Sequence, residues 1–143
     1  LSPPLTFKSD IFSLGVTLFT VFLGINPLLS SNSLDTSLQL SPSKEETPNE
    51  WIIRIYNKRY FSRYTRQQIN DILIKYPITI YLLYRMLSKD LDYRYDIHQV
   101  KENIFWQIPI EEQLYIWKDT NEYLEVKQKE DMKRSWMKSI FKR

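Results

Sequence analysis

Residues 8–28 carry the strongest structural signal of the chain and read Lys-Ser-Asp-Ile-Phe-Ser-Leu-Gly-Val-Thr-Leu-Phe-Thr-Val-Phe-Leu-Gly-Ile-Asn-Pro-Leu. No charged side chain occurs between Ile11 and Leu23. A helix at a protein surface shows one apolar stripe, whereas this segment is apolar nearly all round, which is typical of a helix buried on every side. We therefore predict an all-α fold in which the other helices pack around this central buried helix.

Both ends of the predicted helix have sequence signals. Asp10 stands just before the apolar run, where its carboxylate can accept hydrogen bonds from the free amides of a first turn. Gly24 and Pro27 follow the run and form the usual stop signal. The run is shorter than the roughly 20 apolar residues that a bilayer-spanning helix needs, which favours a soluble domain.

The same stretch resembles a family motif. Ser9 to Val16 reads S-D-I-F-S-L-G-V, and Gly24 is followed by Pro27-Leu28. This order resembles the helix at the centre of the C-terminal lobe of eukaryotic protein kinases of the Ser/Thr type, where the pattern is S-D-[VI]-[WF]-S-[LF]-G-V and later G-x-x-P-[FL]. The two glycines of the chain, Gly15 and Gly24, stand at the two glycine positions, and Phe12 stands where the family usually has tryptophan.

A second motif of the same family follows in the expected order. Residues 82–100 resemble the pattern L-[LI]-x-x-M-L-x-x-D-[PL]-x-x-R-x-[ST]-x-x-[EQ]-[VAL], with Asp90 and Arg94 at the conserved acidic and basic positions of that pattern. Asp96 replaces the usual Ser or Thr, a conservative change at a helix N-cap. The resemblance covers residues 1–106, which we interpret as a partial kinase-like C-terminal lobe.

The resemblance implies structural roles for several residues. Asp10 matches an aspartate that accepts hydrogen bonds from the catalytic loop, and Thr17 and Val21 match positions on which the hydrophobic spine of the lobe rests. Arg94 matches an arginine that pairs with a glutamate of an A-P-E motif. Since no such glutamate is present, we expect Arg94 to be partly solvated or to pair with Asp90, Asp92 or another acid.

The parts of a kinase that perform phosphoryl transfer are missing from the sequence. The family uses a Gly-rich loop, a strand lysine, an H-R-D catalytic loop and a D-F-G aspartate to bind ATP and magnesium. With only two glycines and one histidine, His98, the chain contains none of these motifs. We therefore expect no catalytic, cofactor-binding or metal-binding residue in this chain, although the complete family domain binds ATP and Mg²⁺.

Local patterns predict the remaining elements. Leu1 to Phe7 contains two prolines and is predicted to be extended, and residues 29–50 form a predicted mobile loop rich in Ser, Thr and Pro. Apolar periodicity predicts helices over 50–60, 65–76 and 77–87, with Thr65 and Gln68 as a capping box. Residues 107–143 leave the family pattern and are predicted to form a charged helical C-terminal extension.

Charge is unevenly distributed along the chain. Residues 127–143 contain seven basic and two acidic residues, a net charge of +5, whereas the remainder carries 13 basic and 15 acidic residues, a net charge of −2. Met132, Trp136 and Ile140 recur at every fourth position within this basic segment. Three interpretations stay open: a helix packed on the domain, a helix that enters a partner's hydrophobic groove, and a helix with weak membrane-surface contact. Nucleic-acid binding is not expected.

Other site classes fail on residue types. The chain has no cysteine and one histidine, which excludes the common zinc sites, and the spacing Asp90-x-Asp92-x-Arg94-x-Asp96 lacks the glycine and glutamate of a calcium loop. No signal peptide is evident, which favours an intracellular and most simply a cytoplasmic location. Three functions remain. The first is part of a protein kinase domain, inactive alone, and the second is a degenerate kinase-like module that binds protein partners or the missing N-terminal part of such a domain. The third, an unrelated helical adaptor, is disfavoured by the two matching motifs.

Overall fold

The computed structural model describes residues 4–24, 40–58 and 63–141, and every regular element within these ranges is a helix, with no strand among them. This confirms the all-α prediction. Pro27, Leu1 to Pro3 and the first half of the predicted loop at 29–50 lie outside the described residues.

The first helix, α1, covers Pro4–Leu23. It begins earlier than predicted, because proline is well tolerated in a first helical turn. The prediction of an extended segment over Leu1 to Phe7 was therefore wrong from Pro4 onward. Asp10 consequently lies inside α1 with an exposed side chain and does not cap it. The other end agrees with the prediction: Gly24 has a φ of 71°, and its N–H donates to the Thr20 carbonyl at 2.7 Å.

Four further helices follow, three in the segments predicted from periodicity and a fourth directly after the N-cap expected at Asp96. They are α2 (Pro48–Asn57), α3 (Arg66–Lys75), α4 (Pro77–Met86) and the short α5 (Ile97–Lys101). Three of them begin with a complete capping box, formed by the pairs Thr47 and Glu50, Thr65 and Gln68, and Asp96 and Gln99.

The C-terminal part alternates short turns with one long helix. Three 3₁₀ turns occupy Ile104–Trp106, Ile110–Glu112 and Trp117–Asp119, and α6 covers Gln113–Ile116. The last helix, α7, runs over 21 residues from Asn121 to Phe141. The described part of residues 107–143 is thus mainly helical.

The buried centre of the molecule is α4, not α1. Eight of its ten residues are buried, and the helix contacts α1, α2, α3 and α6. On α1, Val16 and Phe19 are buried, but Leu18 and Phe22 are only half-buried and Leu14 is exposed. The prediction that this helix is buried on every side was therefore wrong, because an apolar helix is covered only on the sides where neighbours exist.

The described end of the predicted mobile loop is packed onto the body. Leu40 is buried and its carbonyl accepts a 2.6 Å hydrogen bond from Nε1 of Trp51. Arg54 binds Glu46 through two hydrogen bonds of 2.6 and 3.0 Å. These contacts attach residues 40–47 to α2.

A search of the described residues for membrane-crossing helices finds none with the required length and hydrophobicity.

Candidate functional site

The two segments that resemble kinase motifs meet in the structure through Gly15. A Cβ atom on Gly15 would lie 3.0 Å from Cδ2 of Leu87 and 3.1 Å from Cβ of Met86. Glycine therefore lets α1 approach the C-terminal end of α4 more closely than any other residue would.

Arg94 forms the second contact between these segments. Its side chain is buried, with Nε donating to the Ser88 carbonyl at 2.8 Å and a terminal nitrogen donating to the Lys8 carbonyl at 3.0 Å. The guanidinium carbon lies 5.0 Å from the centre of the Phe12 ring, which fits a cation–π contact. Lys8 returns a hydrogen bond from Nζ to the Arg94 carbonyl.

This environment differs from the sequence prediction for Arg94. Neither solvent nor a carboxylate balances the charge: within the described residues its partners are backbone carbonyls and an aromatic ring. Burial lowers the pKa of the Arg94 guanidinium below its ordinary value, although a group this basic stays protonated. Carbonyl dipoles can satisfy a guanidinium because its five N–H groups all donate.

The other residues singled out by the resemblance do not converge on one site. Asp90 accepts a hydrogen bond from the Lys44 amide at 3.2 Å, and its carbonyl accepts from the amides of Tyr93 and Arg94. Asp10 and Thr17 are exposed on α1, and the Thr17 hydroxyl donates to the Ser13 carbonyl of the same helix. These positions hold backbone geometry and form no catalytic constellation.

An apolar groove of about 510 Å³ runs beside α1. Leu18, Val21 and Phe22 form one wall, and Val21 is 76% exposed. The opposite wall and floor come from α3, α4 and the segment after them, through Ile72, Tyr76, Thr79, Leu82, Leu83, Phe105 and Ile110. Among the described residues no charged side chain lines the groove, so it suits an apolar segment better than a polar ligand.

A cluster of aromatic and charged side chains between α4 and α7 was missed by sequence reasoning. Glu125 accepts hydrogen bonds from the hydroxyls of Tyr81, at 2.6 Å, and Tyr93. Arg85 lies 3.6 Å from the same carboxylate and stacks over the Tyr93 ring at 3.9 Å. Lys129 donates to Tyr93 at 3.0 Å and lies 3.4 Å from Glu125.

The pKa values in this cluster indicate which of its side chains are neutral and which are charged. Burial raises the pKa of Tyr81 and Tyr93 far above the ordinary value, and raises that of Tyr95 to about 12, so these phenols stay neutral. Burial alone would raise the pKa of Glu125, but the two tyrosine hydrogen bonds and the charges of Lys129 and Arg85 lower it overall. The cluster therefore joins α7 to α4 through neutral phenols and an ionised carboxylate.

No local sequence pattern could have revealed this cluster. Tyr81 and Arg85 are one turn apart on α4, but Glu125 is 44 residues away from Tyr81 in the chain. Their meeting depends on the path of the chain between Asn103 and Asn121, which has no strong periodicity. Only the pair Glu125 and Lys129, four residues apart, can be recognised in the sequence, and this spacing indicates a helix.

A cleft of about 680 Å³ opens beside the cluster. Glu102, Asp119 and Glu122 lie on its walls together with Tyr81 and Tyr95. Across residues 4–24, 40–58 and 63–141 no group of three or more His, Cys, Asp or Glu residues is arranged to hold a metal ion.

None of the protein-family models, curated proteins and solved structures with which the chain was compared matches it. The kinase resemblance therefore depends on the two sequence motifs alone.

Proposed function

We propose that this chain is the lower half of the C-terminal lobe of a Ser/Thr protein-kinase-like domain. In the complete domain the family activity is phosphoryl transfer from ATP to protein. The chain alone contributes the helical base of such a lobe and no catalytic residue.

The observation that carries the proposal is the contact between the two motifs. Phe12 and Arg94 are 82 positions apart, yet the guanidinium lies over the ring at 5.0 Å and is tied to the Lys8 carbonyl. Gly15 lies against Met86 and Leu87 of the second motif. A chance match of two short patterns would not require their most specific residues to contact each other.

The groove beside α1 supplies a second line of support. Thr17 and Val21 match positions on which the spine of a kinase lobe rests, and both are exposed. A lobe that lacks its N-terminal half would leave this side of the helix uncovered. The apolar character of the groove, with Val21 and Leu18 in its wall, fits the loss of a packed neighbour.

One observation favours the second function, a non-catalytic module that binds proteins. The family arginine normally depends on a glutamate outside this chain, whereas Arg94 is satisfied by the carbonyls of Ser88 and Lys8. The body can therefore fold around this arginine without a carboxylate from a missing segment. A self-sufficient fold with an open apolar groove is what a partner-binding module needs.

The coding sequence upstream of Leu1 separates the two functions. The kinase proposal predicts a continuous reading frame that encodes a Gly-rich loop, a strand lysine, an H-R-D motif and a D-F-G motif in that order. A mature transcript in which the frame closes upstream without these motifs would overturn the kinase proposal and leave the binding module.

A further inference from the structure

The last helix, α7, is attached to the body mainly by polar side chains. Among the 21 described residues of α7 only Val126 is buried, where it joins the hydrophobic core. From Arg134 to Phe141 every residue is exposed, so the interpretation of residues 127–143 as a helix packed on the domain was wrong for the last two turns. A helix that belongs to a protein core buries a whole apolar face instead.

Two charged side chains of α7 form most of its contacts with α4. Glu125 accepts hydrogen bonds from the hydroxyls of Tyr81, at 2.6 Å, and Tyr93. Lys129 donates to the hydroxyls of Tyr84, at 2.8 Å, and Tyr93, at 3.0 Å. We call these five residues the tyrosine junction. Each of its polar groups can bind water instead when the helix leaves, so each bond adds little net stability.

Ion pairs support α7 itself more than its attachment. Lys133 pairs with Glu50 of α2, but both side chains are nearly half exposed, and such pairs contribute little. Asp131 pairs with Lys127 at 3.4 Å and with Arg134 at 3.8 Å, and all three residues belong to α7. These last two pairs persist when the helix leaves the body.

The core of the body is formed by other helices. Phe19 on α1, Trp51 on α2 and Ile69 on α3 are each 0% exposed, and the rings of Phe19 and Trp51 contact each other. Removal of α7 would uncover the hydroxyls of Tyr81 and Tyr84 on α4, and it would leave the contact between Phe19 and Trp51 intact. The body can therefore stay folded when α7 is detached.

We propose that α7 opens away from the body through loss of the tyrosine junction while α1 to α4 stay folded. Segments that bury few apolar side chains open locally at a lower free energy than the whole protein. The open form exposes on α4 the tyrosine hydroxyls that α7 covers in the closed form. This inference does not depend on the proposed function.

Single thiols can report the opening because the chain has no cysteine of its own. Val126→Cys on α7 and Val16→Cys on α1 are a matched pair, since each valine is 9% exposed. We refer to the two introduced groups as the α7 thiol and the α1 thiol. In the folded, full-length proteins the α7 thiol should react with a thiol reagent at least about tenfold faster, because only unfolding of the body exposes the α1 thiol.

Two substitutions distinguish opening of α7 from unfolding of the whole chain. Glu125→Gln removes the charge that Arg85 and the two tyrosines bind, so it should speed labelling of the α7 thiol about tenfold. Its matched control is Glu130→Gln, at a carboxylate of α7 outside the junction, which should leave the rate unchanged. Ile69→Val removes one buried methylene group from α3, so it should speed labelling of the α1 thiol several-fold and leave the α7 thiol unchanged.

Three results would overturn the proposal. If both thiols react at the same rate, or if Ile69→Val speeds both equally, α7 opens only when the whole chain unfolds. If Glu125→Gln leaves the rate of the α7 thiol unchanged, the tyrosine junction does not hold the helix.

Discussion

Arg94 shows how a single side chain can join distant parts of the chain. Its guanidinium bridges the carbonyls of Ser88 and Lys8 under the Phe12 ring. Replacement by methionine keeps the aliphatic stem but leaves both carbonyls without this donor.

We expect Arg94→Met to lower the free energy of unfolding by about 1–3 kcal/mol, the usual cost of unsatisfied buried polar groups. Urea unfolding measures this, with Arg134→Met as an exposed control that should change it by less than about 0.5 kcal/mol. Equal midpoints for the two variants would show that the Arg94 contacts contribute nothing.

Gly15 gives a second prediction at this scale. Alanine is the better helix former by about 1 kcal/mol, and on an open helix face the substitution would stabilise the protein. Here the new methyl group meets Cβ of Met86 at 3.1 Å, an atom held by the backbone of α4.

We therefore expect Gly15→Ala to lower the unfolding free energy by about 1 kcal/mol, since overpacking outweighs propensity. The control is Ser13→Ala on the exposed side of α1, which should be neutral or slightly stabilising. A Gly15→Ala protein more stable than the wild type would contradict the close approach of α1 to α4.

At the scale of elements, most local signals were read correctly, with Asp10 and the lead-in before it as exceptions. Which side of each helix is buried was not predicted. The capping pair at Thr65 and the proline start of α4 involve neighbours within four residues, so the sequence contains the whole interaction. Which side of α1 is exposed depends on the helices that lie next to it, and the periodicity of one helix contains no information about its neighbours. For the same reason α4 could not be identified as the centre, and the partners of Arg94 and Glu125 could not be named.

Because only one side of α1 is buried, truncation of two of its phenylalanines should lower the free energy of unfolding by different amounts. Phe19 is fully buried with its ring centre 6.2 Å from that of Trp51, whereas Phe22 is half-buried against Tyr76 beside the groove. Phe19→Ala should cost about 3–5 kcal/mol, the range for a core truncation, and Phe22→Ala clearly less. If chemical denaturation ranked Phe22→Ala as the costlier of the two, the assignment of the inner side of α1 would be wrong.

The junction between α4 and α7 predicts that the stability of the protein depends on pH. Because folding lowers the pKa of Glu125, its contribution to stability is complete above the ordinary value of 4.5 and is lost as the pH falls through the lower folded-state pKa. The wild type should therefore lose more stability between neutral and acidic pH than Glu125→Gln does.

Unfolding measured across this pH range checks the prediction, with the exposed Glu111→Gln as a control that should follow the wild type. Parallel pH profiles for wild type and Glu125→Gln would show that the carboxylate is not held by Tyr81, Tyr93 and Lys129.

At the scale of the whole molecule, the described residues form a helical body, and two of its exposed apolar regions lie in different places. The groove beside Val21 is the side on which the kinase proposal requires a missing half-lobe. The exposed apolar side chains of α7 between Met132 and Phe141 belong to a segment outside both kinase-like motifs.

The central claim is that this chain is the base of a kinase-like lobe and contains none of the ATP-binding parts. Calorimetric titration of Mg-ATP into two proteins tests it most directly: the 143-residue chain, and the product extended upstream through the preceding reading frame. The account predicts saturable binding by the extended product and only background heat with the chain alone. Saturable micromolar binding by the chain alone, or none by the extended product, would contradict it.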